Sequence, residues 1–527
     1  MGKTGFKVSK LDTAKILLST IFIALVFIPL IKMFSNMDGE SIRTVFFSSG
    51  FIMSLKNSVI SAIIATIITI CFAMGAAFSI ARTKIKCKSV FIMLFTLPML
   101  IPSISLGMGL TILFGNNGII TKILGMKSGV YGLPGIVMGS VLYAFPVAFV
   151  MMLDIIKYED GTPYEAAKVL GLSKYEQFKV ITLPYIKKPL VNVIFAIFTL
   201  VVTDYGVPLM IGGKYLTIPV VMYQEVIGQL NFGKGSAYGS VLLIPAIIAF
   251  IIDFVNHDKG NMTYVTKEYN SSNSFGGKII AYLICVVCGL YTLLPIFSFT
   301  LLAFAKSYPN NLSWTLRNVL KTMDLNAGKY LINSIVIALA VATVGVTIAF
   351  LTAYLSARTE SKVSRFLHLS SMTSAAIPGI VLGLAYVLTF KGTVIYGTVF
   401  ILIMVNLIHF ISSPYLMIYN SLVKVNGNLE NVGQTMGVTR VRLIKDVFLP
   451  VCSTTLFEMF AYFFVNCMMT ISAVSFLANT SNKPAALMIN QFEAQMQLEY
   501  AAVVSLMILC INILVKVGVG LIKNKKK

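Results

Sequence analysis

The chain has 527 residues, of which 57% are hydrophobic and only 12% are charged, and its mean hydropathy is +0.85. A water-soluble chain of this length carries roughly twice that share of charged residues. This composition excludes an ordinary soluble domain. It predicts an all-α membrane protein, because a helix satisfies its own backbone hydrogen bonds in lipid.

Apolar stretches long enough for a helix to cross about 30 Å of hydrocarbon follow one another along the whole chain. The predicted spans of the first half are 14–34, 54–81, 89–114, 134–156, 189–212 and 238–256. Those of the second half are 279–304, 331–356, 366–390, 393–418, 451–477 and 498–522. The first span follows a basic start, but it is longer than a signal-peptide core and no Ala-x-Ala-like site follows it. We therefore interpret it as an anchor.

The net charge of +22 could indicate a nucleic-acid partner, but its distribution favours another interpretation. With a cytoplasmic amino terminus and alternating spans, the cytoplasmic segments hold 27 Lys and Arg residues, the outer segments hold 11, and the other four lie inside spans. Positive residues accumulate on the cytoplasmic side of membrane proteins. Both termini are therefore predicted to be cytoplasmic, and no nucleic acid is expected.

Two sets of motifs repeat, each at a constant spacing, which indicates an internal duplication. The set with the longer spacing pairs Asn57-Ser58 with Asn333-Ser334, Ala81-Arg82-Thr83 with Ala357-Arg358-Thr359, Ile101-Pro102 with Ile377-Pro378, and Gly107 with Gly383. The set with the shorter spacing pairs Gly171 with Gly437, and Leu183-Pro184 with Leu449-Pro450. The two spacings differ by ten positions, which predicts an insertion of that size between residues 115 and 133.

The predicted organisation is a first six-helix half (1–256), a polar cytoplasmic linker (257–278) and a second six-helix half (279–527). Six spans per half give both halves the same orientation. Parallel repeats imply a pseudo-two-fold axis along the membrane normal and a pathway between the halves.

The longest cytoplasmic loop of each half follows its fourth span, at residues 157–188 and 419–450. In the first loop, Thr162 is predicted to cap a short helix with Pro163 at its first position and Glu165 completing a capping box. Gly171 is predicted to end this helix in a left-handed turn, and Ser173 with Glu176 to form a second capping box. Residues 163–170 would form a rod of roughly 12 Å. Such a short helix either docks into a partner or lies on the lipid headgroups.

The first loop reads Glu165-Ala166-Ala167-x-x-x-Gly171 and continues to Leu183-Pro184. It resembles the EAA loop of binding-protein-dependent ABC importer permeases. The second copy departs from this pattern, because Asn431 stands at the glutamate position and Glu430 precedes it. That copy continues Asn431-Val432-Gly433-x-x-x-Gly437 and then Leu449-Pro450.

The resemblance covers essentially the whole chain and implies a type I ABC importer permease of the fused, two-half kind that imports ferric iron, 2-aminoethylphosphonate or thiamine. It implies that each loop helix sits in a groove on one copy of a homodimeric cytoplasmic ABC ATPase. It also implies an extracytoplasmic solute-binding protein, which would dock on outer segments 213–237 and 478–498, and a location in the bacterial plasma (inner) membrane. The substrate stays open among these classes.

The chain shows no nucleotide chemistry of its own, since it lacks a Gly-x-x-x-x-Gly-Lys-Ser/Thr loop. Its three histidines, His257, His368 and His409, have no metal-ligand spacing. Cys285 and Cys288 form a Cys-x-x-Cys inside a span and are interpreted as small apolar residues. We therefore expect no enzyme activity, no bound cofactor and no metal, with ATP used by a partner subunit.

Ionisable residues inside spans are costly and are candidates for a translocation pathway. We select Asp204, Glu458 and His409 for this role. Asp154 and Asp253 lie near cytoplasmic span ends and are interpreted as structural, and Pro102 and Pro378 are expected to kink equivalent helices.

Other functions fit the sequence less well. A secondary, ion-coupled transporter could also be built from six plus six parallel helices, but it would have no need for two capped loop helices. A membrane-embedded enzyme would need clustered nucleophiles, bases or metal ligands, and a receptor or scaffold gives no reason for the paired loops.

Overall fold

The computed structural model describes residues 10–126, 128–256, 274–308 and 310–525. Most of the predicted linker, up to residue 273, and the side chain of His257 lie outside these residues. The described part is almost entirely helical, with one short hairpin of Ala305–Ser307 and Asn311–Trp314.

Helices of the first half follow the predicted spans, with additional short elements between them. They are Lys10–Phe22, Ile23–Phe27 and Ile28–Ser35 (one continuous rod with a π-helical turn), Gly39–Phe46, Ser49–Arg82, Lys88–Thr96 with the 3-10 turn Leu97–Leu100, Ser103–Phe114, Ile119–Ile123, Leu133–Lys157, Thr162–Val169, Lys174–Gln177 with the π-helical turn Phe178–Thr182, Leu183–Val202, Gly206–Ile211, Ile218–Tyr223 with the π-helical turn Gln224–Gly228, and Phe232–Asn256.

The second half repeats this order. Its helices are Phe275–Ala303, Arg317–Asp324, Ala327–Ala357, Lys362–Thr373 with the 3-10 turn Ser374–Ala376, Gly379–Phe390, Val399–Phe410, Ser412–Val423, Leu429–Thr435, Arg440–Leu443 with the π-helical turn Ile444–Phe448, Leu449–Val451, Ser453–Met469, Ala485–Ala494 and Leu498–Lys525.

Nine helices in the described part of the chain are long and apolar enough to cross a membrane, and three bent helix pairs raise the number to as many as twelve. The bent pairs are Lys362–Ala376 with Gly379–Phe390 (109°), Val399–Phe410 with Ser412–Val423 (53°), and Arg440–Val451 with Ser453–Met469 (77°). The predicted all-α membrane fold is confirmed.

Helix bounds display the duplication directly. Ser103–Phe114 corresponds to Gly379–Phe390 at the longer spacing, and Leu133–Lys157 corresponds to 399–423 at the shorter spacing. The additional residues of the first half lie in 115–132, which holds the short helix Ile119–Ile123, against 391–398 in the second half. This is the predicted place of the insertion.

Proline does more than kink the third span of each half. Ile101 and Ile377 have extended backbones with ψ of 137° and 111°, and Pro102 and Pro378 each precede the first residue of a new helix. A proline lacks a backbone N–H and disfavours the α conformation of the residue before it. The predicted kink is therefore a complete break, which sends the chain off in a new direction.

The first helix of each half packs against the opposite half. Lys10–Phe22 and Ile28–Ser35 lie on Lys362–Thr373 and Gly379–Phe390, whereas Phe275–Ala303 lies on helices of the first half. Two pairs of equivalent hydrogen bonds join the halves. In the first pair, Tyr386 Oη donates to the Leu25 carbonyl (2.9 Å) and Tyr291 Oη donates to the Met138 carbonyl (2.5 Å). In the second pair, Lys15 Nζ donates to Ser361 Oγ (3.2 Å) and the Lys86 N–H donates to Tyr282 Oη (2.8 Å). Because the second pair joins the start of each first helix to the loop after the second long helix of the other half, the halves share one orientation.

Candidate functional site

The first loop helix, Thr162–Val169, is bounded by backbone geometry. Gly161 is its N-cap, and the Glu165 N–H donates to the Gly161 carbonyl at 3.3 Å. Thr162 is already helical and its hydroxyl donates to Asp160 Oδ1 at 2.9 Å. The prediction that Thr162 caps this helix is therefore wrong, because the chain turns one residue earlier.

The C-terminal end of the first loop helix matches the prediction. Gly171 has φ of +75°, its N–H donates to the Lys168 carbonyl (3.1 Å), and the Leu172 N–H donates to the Ala167 carbonyl (3.0 Å). This pair of bonds closes a helix around a left-handed residue, which glycine adopts at least cost. The chain then restarts at a capping box of Ser173 and Glu176, as predicted, and hydrogen bonds from Ser173 lower the pKa of Glu176.

The second loop helix, Leu429–Thr435, ends in the same way. Gly437 has φ of +70°, its N–H donates to the Gln434 carbonyl (3.1 Å), and the Val438 N–H donates to the Gly433 carbonyl (2.8 Å). The two loops thus share one backbone design despite their sequence differences.

A partly buried arginine anchors each loop to the end of the second long helix of its half. Arg82 forms an ion pair with Glu159, whose side chain is 2% exposed, and donates to Tyr164 Oη at 3.0 Å. Burial, together with the hydrogen bond to Glu159, raises the pKa of Tyr164 to about 12. In the second half, Arg358 grips Glu430 with two bonds, from Nε to Oε1 (2.7 Å) and from Nη2 to Oε2 (2.5 Å).

This geometry gives Glu430 a role that the sequence pattern did not indicate. When the two loops are aligned at Gly171 and Gly437, Glu430 corresponds to Tyr164, and both side chains turn inward to the anchoring arginine. The Glu430 side chain is only 9% exposed. Burial acts to raise its pKa, but the bonds from Arg358 outweigh burial and the pKa is lowered. Asn431, which is exposed, is the counterpart of Glu165.

The remaining predicted loop residues divide between the two faces of each loop helix. Ala167 and its counterpart Gly433 are buried, Ala166 is exposed and Glu165 is half-buried. Leu183-Pro184 and Leu449-Pro450 are exposed and follow the π-helical turns that lead back into the membrane.

Each loop also exposes a group of large apolar side chains that the sequence analysis did not single out. Leu170 is 77% exposed and its counterpart Met436 is 73% exposed. The others are Val169 and Tyr175 in the first loop and Val432 and Val441 in the second. Large apolar side chains that project from a loop rather than from a membrane span indicate a contact surface for another molecule.

Two of the three predicted pathway residues meet between the halves. Asp204 and His409 both line a cavity of about 400 Å³ and an adjoining one of about 100 Å³. Glu458 lines neither of them. It forms an ion pair with Lys523 near the start of Ser453–Met469, on the same side as the loops.

Asp204 is held rigidly at the break between Leu183–Val202 and Gly206–Ile211. Its Oδ1 accepts from Ser103 Oγ (2.7 Å) and from the Gly206 N–H (3.3 Å), and its Oδ2 accepts from the Val207 N–H (3.0 Å). The carboxylate therefore ties the third-span break to the fifth-span break while lining the cavity.

The cavity lining is chemically asymmetric although the fold repeats. At the shorter spacing Tyr143 corresponds to His409 and Asp204 corresponds to Thr470, and all four line the smaller cavity. The larger cavity extends between Leu183–Val202 and Phe232–Asn256 and also includes Asn192, Thr199, Thr203 and Asp253. Asp253 accepts from Asn192 Nδ2 at 3.2 Å.

Tyr143 and Asn192 were not predicted from the sequence because they are not charged, and Asp253 was interpreted as structural. Aligning the two halves at the shorter spacing pairs Tyr143 with His409 and Asn192 with Glu458. That alignment was the available signal.

On the opposite side of the membrane from the loops, the repeated Asn-Ser motif holds two short helices. Ser58 Oγ accepts from the Ile218 N–H and Ser334 Oγ from the Ala485 N–H, both at 2.8 Å. Asn57 Nδ2 donates to the Leu216 carbonyl at 2.9 Å, and Asn333 Nδ2 donates to the Ser481 carbonyl at 3.1 Å. The predicted outer segments 213–237 and 478–498 are thus pinned to the second long helix of each half.

Comparisons with known proteins agree with this architecture. The sequence model of a family described as binding-protein-dependent transport system inner membrane component matches residues 70–257 and 345–527, one match in each half. The ferric transport system permease protein FbpB of Actinobacillus pleuropneumoniae is 26% identical over 514 residues, which cover 90% of this chain and 73% of that protein.

A second relative matches a shorter part. The thiamine transport system permease protein ThiP of Brucella abortus (strain 2308) is 27% identical over 173 residues, which cover 31% of this chain and 32% of that protein. A chain in the crystal structure of a bacterial alginate ABC transporter in complex with alginate pentasaccharide-bound periplasmic protein superposes with a TM-score of 0.37 and 18% identity, covering 46% of this chain and 91% of that chain.

Proposed function

The chain belongs to the family of inner membrane components of binding-protein-dependent transport systems, and on that premise we propose that it is a permease that imports a small cationic solute and is driven by a separate, homodimeric ATPase. The two loop helices are the segments to which that ATPase binds. The observation that carries this proposal is the pair of matched loop helices, each anchored by a partly buried arginine and each exposing a large apolar side chain, Leu170 or Met436.

The anchors explain how a push on a loop would reach the bundle. An isolated helix of seven or eight residues is marginal in water. Here the loop segments are bound to the ends of Ser49–Arg82 and Ala327–Ala357 through Arg82 and Arg358. A force on the exposed tip is therefore delivered to a long transmembrane helix.

We propose that the loops, and with them both chain termini, face the cytoplasm of a bacterial cell, with the protein in the plasma (inner) membrane. The excess of Lys and Arg on that side supports this orientation. The ATP that drives transport is bound and hydrolysed by the partner, so this chain needs no cofactor.

The two loops would engage the ATPase unequally. At equivalent positions the first loop carries the half-buried acidic residue Glu165, whereas the second carries the exposed neutral residue Asn431. Glu430 is occupied by Arg358 and is not available as a substitute.

The solute would pass through the cavity that Asp204 and His409 line. Its lining includes the two carboxylates Asp204 and Asp253, and no Lys or Arg is found among its described residues. Carboxylates without a basic residue beside them in the lining favour a cation over an organophosphonate such as 2-aminoethylphosphonate, whose phosphonate group is anionic. Ferric iron and thiamine, which the relatives' names specify, are both cationic.

An extracytoplasmic solute-binding protein would deliver the solute to the outer face. The short helices Ile218–Tyr223 and Ala485–Ala494 lie in segments 213–237 and 478–498, and Ser58 and Ser334 fix their first turns. Matched, rigid outer helices suit a docking platform for a partner that binds both halves.

The test is uptake in proteoliposomes that contain the chain and the ATPase of the same transport system, with solute-binding protein and labelled ferric iron or thiamine outside. The double variant Leu170→Asp/Met436→Asp should lose ATPase association and uptake, because a charge replaces the apolar contact on each loop. The matched control is Leu124→Asp, an exposed apolar residue in the insertion on the other side of the membrane.

Normal ATPase binding by the double variant would contradict the assignment of the loops. Uptake that continues without ATP hydrolysis and stops when an ionophore collapses the ion gradient would instead identify a secondary, ion-coupled transporter.

A further inference from the structure

A lysine lies in a membrane-facing groove that the proposed function does not use. Lys516 belongs to the long last helix, Leu498–Lys525, and lines a groove of about 420 Å³ between that helix and the segment Lys88–Leu100. The rest of the lining is apolar except for two hydroxyls. It consists of Ser89, Ile92, Met93, Thr96, Leu97, Leu100, Ile513 and Val517.

Lys516 has no counter-ion within the described part of the protein. No carboxylate among the described residues lies within ion-pair distance of its ammonium group. Lys523, seven residues further along the same helix, is paired with Glu458. An uncompensated cation at the edge of the hydrocarbon layer is costly, and a lysine lowers this cost by extending its ammonium group to an anion at the headgroup level.

The segment that forms the other wall begins in a basic turn. Lys84, Lys86 and Lys88 follow Ser49–Arg82 directly, and none of them forms an ion pair within the described chain. Lys88 opens the helix whose next residue, Ser89, lines the groove. The groove therefore ends in a turn of positive charge on the same side of the membrane as the loops.

The groove walls are fixed to each other. Asn512 Nδ2 donates to the Leu100 carbonyl (3.0 Å), and Ser105 Oγ and Ser505 Oγ are hydrogen-bonded at 2.9 Å. These bonds join the last helix of the second half to the third-span segments of the first half. The two walls of the groove are consequently held together by side-chain hydrogen bonds.

We propose that this groove binds an anionic phospholipid of the leaflet on the side of the loops. Lys516 contacts the phosphate, and an acyl chain lies along Ile92, Met93 and Val517. The apolar lining excludes a soluble anion as the natural occupant, because a free phosphate would leave most of that surface uncovered. Leu514 and Leu521, on the same helix, are exposed, as expected of a wall that faces lipid.

Native mass spectrometry of the purified full chain tests this proposal, with detergent micelles that contain either phosphatidylglycerol or phosphatidylcholine. The wild type should retain phosphatidylglycerol in preference to phosphatidylcholine, and Lys516→Gln should lower that retention about five-fold, as expected for the loss of one lysine near an anionic lipid. Lys516→Arg should restore it. Inorganic phosphate should not compete.

Lys362→Gln is the matched control, since it removes the same charge from an exposed lysine at the position corresponding to Lys86 in the other half. Equal retention of the two lipids by the wild type would overturn the proposal. So would unchanged phosphatidylglycerol binding by Lys516→Gln, or an equal loss in Lys362→Gln. The Lys516→Arg variant distinguishes loss of the charge from a general loss of folding.

Discussion

Arg358 holds Glu430 through two parallel hydrogen bonds, and its Nη1 and Nη2 also donate to the Val425 (2.8 Å) and Asn426 (2.7 Å) carbonyls. One guanidinium group thereby fixes the start of Leu429–Thr435 to the end of Ala327–Ala357. A guanidinium and a carboxylate joined by two parallel hydrogen bonds form one of the strongest pairings available to charged side chains.

Substitution of Glu430 by Gln should destabilise the second half by about 2 kcal/mol, since a hydrogen bond to a charged group typically contributes about 1.5–3 kcal/mol. The measurement is the apparent melting temperature in detergent as a function of pH. Because the pKa of Glu430 is lowered below its ordinary value of 4.5, the pair contributes fully above that value, and its contribution is lost as pH falls through the lowered pKa.

Glu430→Gln should therefore melt well below the wild type at pH 7, with a smaller difference at the lowest pH at which both remain folded. Asn431→Ala, at the neighbouring exposed position, is the control and should melt like the wild type. A constant difference at every pH would argue against the ion pair as the cause.

Gly171 is predicted to tolerate only residues that accept a left-handed backbone. Its φ is +75° and no atom would crowd a side chain, so the backbone alone decides. Gly171→Asn should retain ATPase binding, since asparagine visits this region readily, whereas Gly171→Val should lose it because a β-branched residue is strained there. Gly171→Pro should lower ATPase binding further, because it also removes the N–H that donates to the Lys168 carbonyl. Co-purification of the ATPase measures the effect, and wild-type binding by Gly171→Pro would refute it.

Asp253 is predicted to contribute charge to the solute pathway. Asp253→Asn keeps the shape of the side chain and removes its charge, so cation uptake should fall about tenfold, the equivalent of about 1.4 kcal/mol. Asp204→Asn should have a larger effect because it also weakens the bonds to Ser103, Gly206 and Val207. Glu458→Gln, outside both cavities, is the control for initial rates of uptake at low solute concentration. Equal losses in all three variants would show a general effect on folding.

Gly383 is predicted to be intolerant of any side chain. A Cβ atom there would lie 2.7 Å from the Ala473 carbonyl oxygen, and one at the equivalent Gly107 would lie 3.2 Å from the Val207 carbonyl oxygen. Gly383→Ala should cost about 1–3 kcal/mol because it forces backbones apart. Gly427→Ala, where no atom lies within 4 Å, is the matched control in a thermal-melting assay. A melting temperature equal to that of the control would contradict the close approach.

The sequence predicted the number and place of the spans well, since hydropathy depends on length and composition alone. It predicted less about where helices break. Residues 89–114 and 366–390 read as continuous apolar runs, yet each breaks at its proline, because the broken ends are buried in protein rather than exposed to lipid.

The site was predicted unevenly, for a physical reason. Gly171 and Gly437 were identifiable because a left-handed turn needs a particular residue type. Glu430 was predicted to contact the ATPase because it adjoins Asn431 in the sequence. The orientation of its side chain, however, depends on Arg358, which is distant along the chain. Similarly, Glu458 is charged like Asp204, and only the folded chain shows that it lies with Lys523.

Because the first helix of each half packs against the opposite half, the two halves depend on each other for assembly. Phe275–Ala303 covers helices of the first half, so that half leaves the ribosome with a face that no earlier segment can cover. It remains incomplete until the seventh span has entered the bilayer. Two separately synthesised halves would have to associate in the membrane before either one was complete. Fusion into one polypeptide keeps the missing helix at a high local concentration.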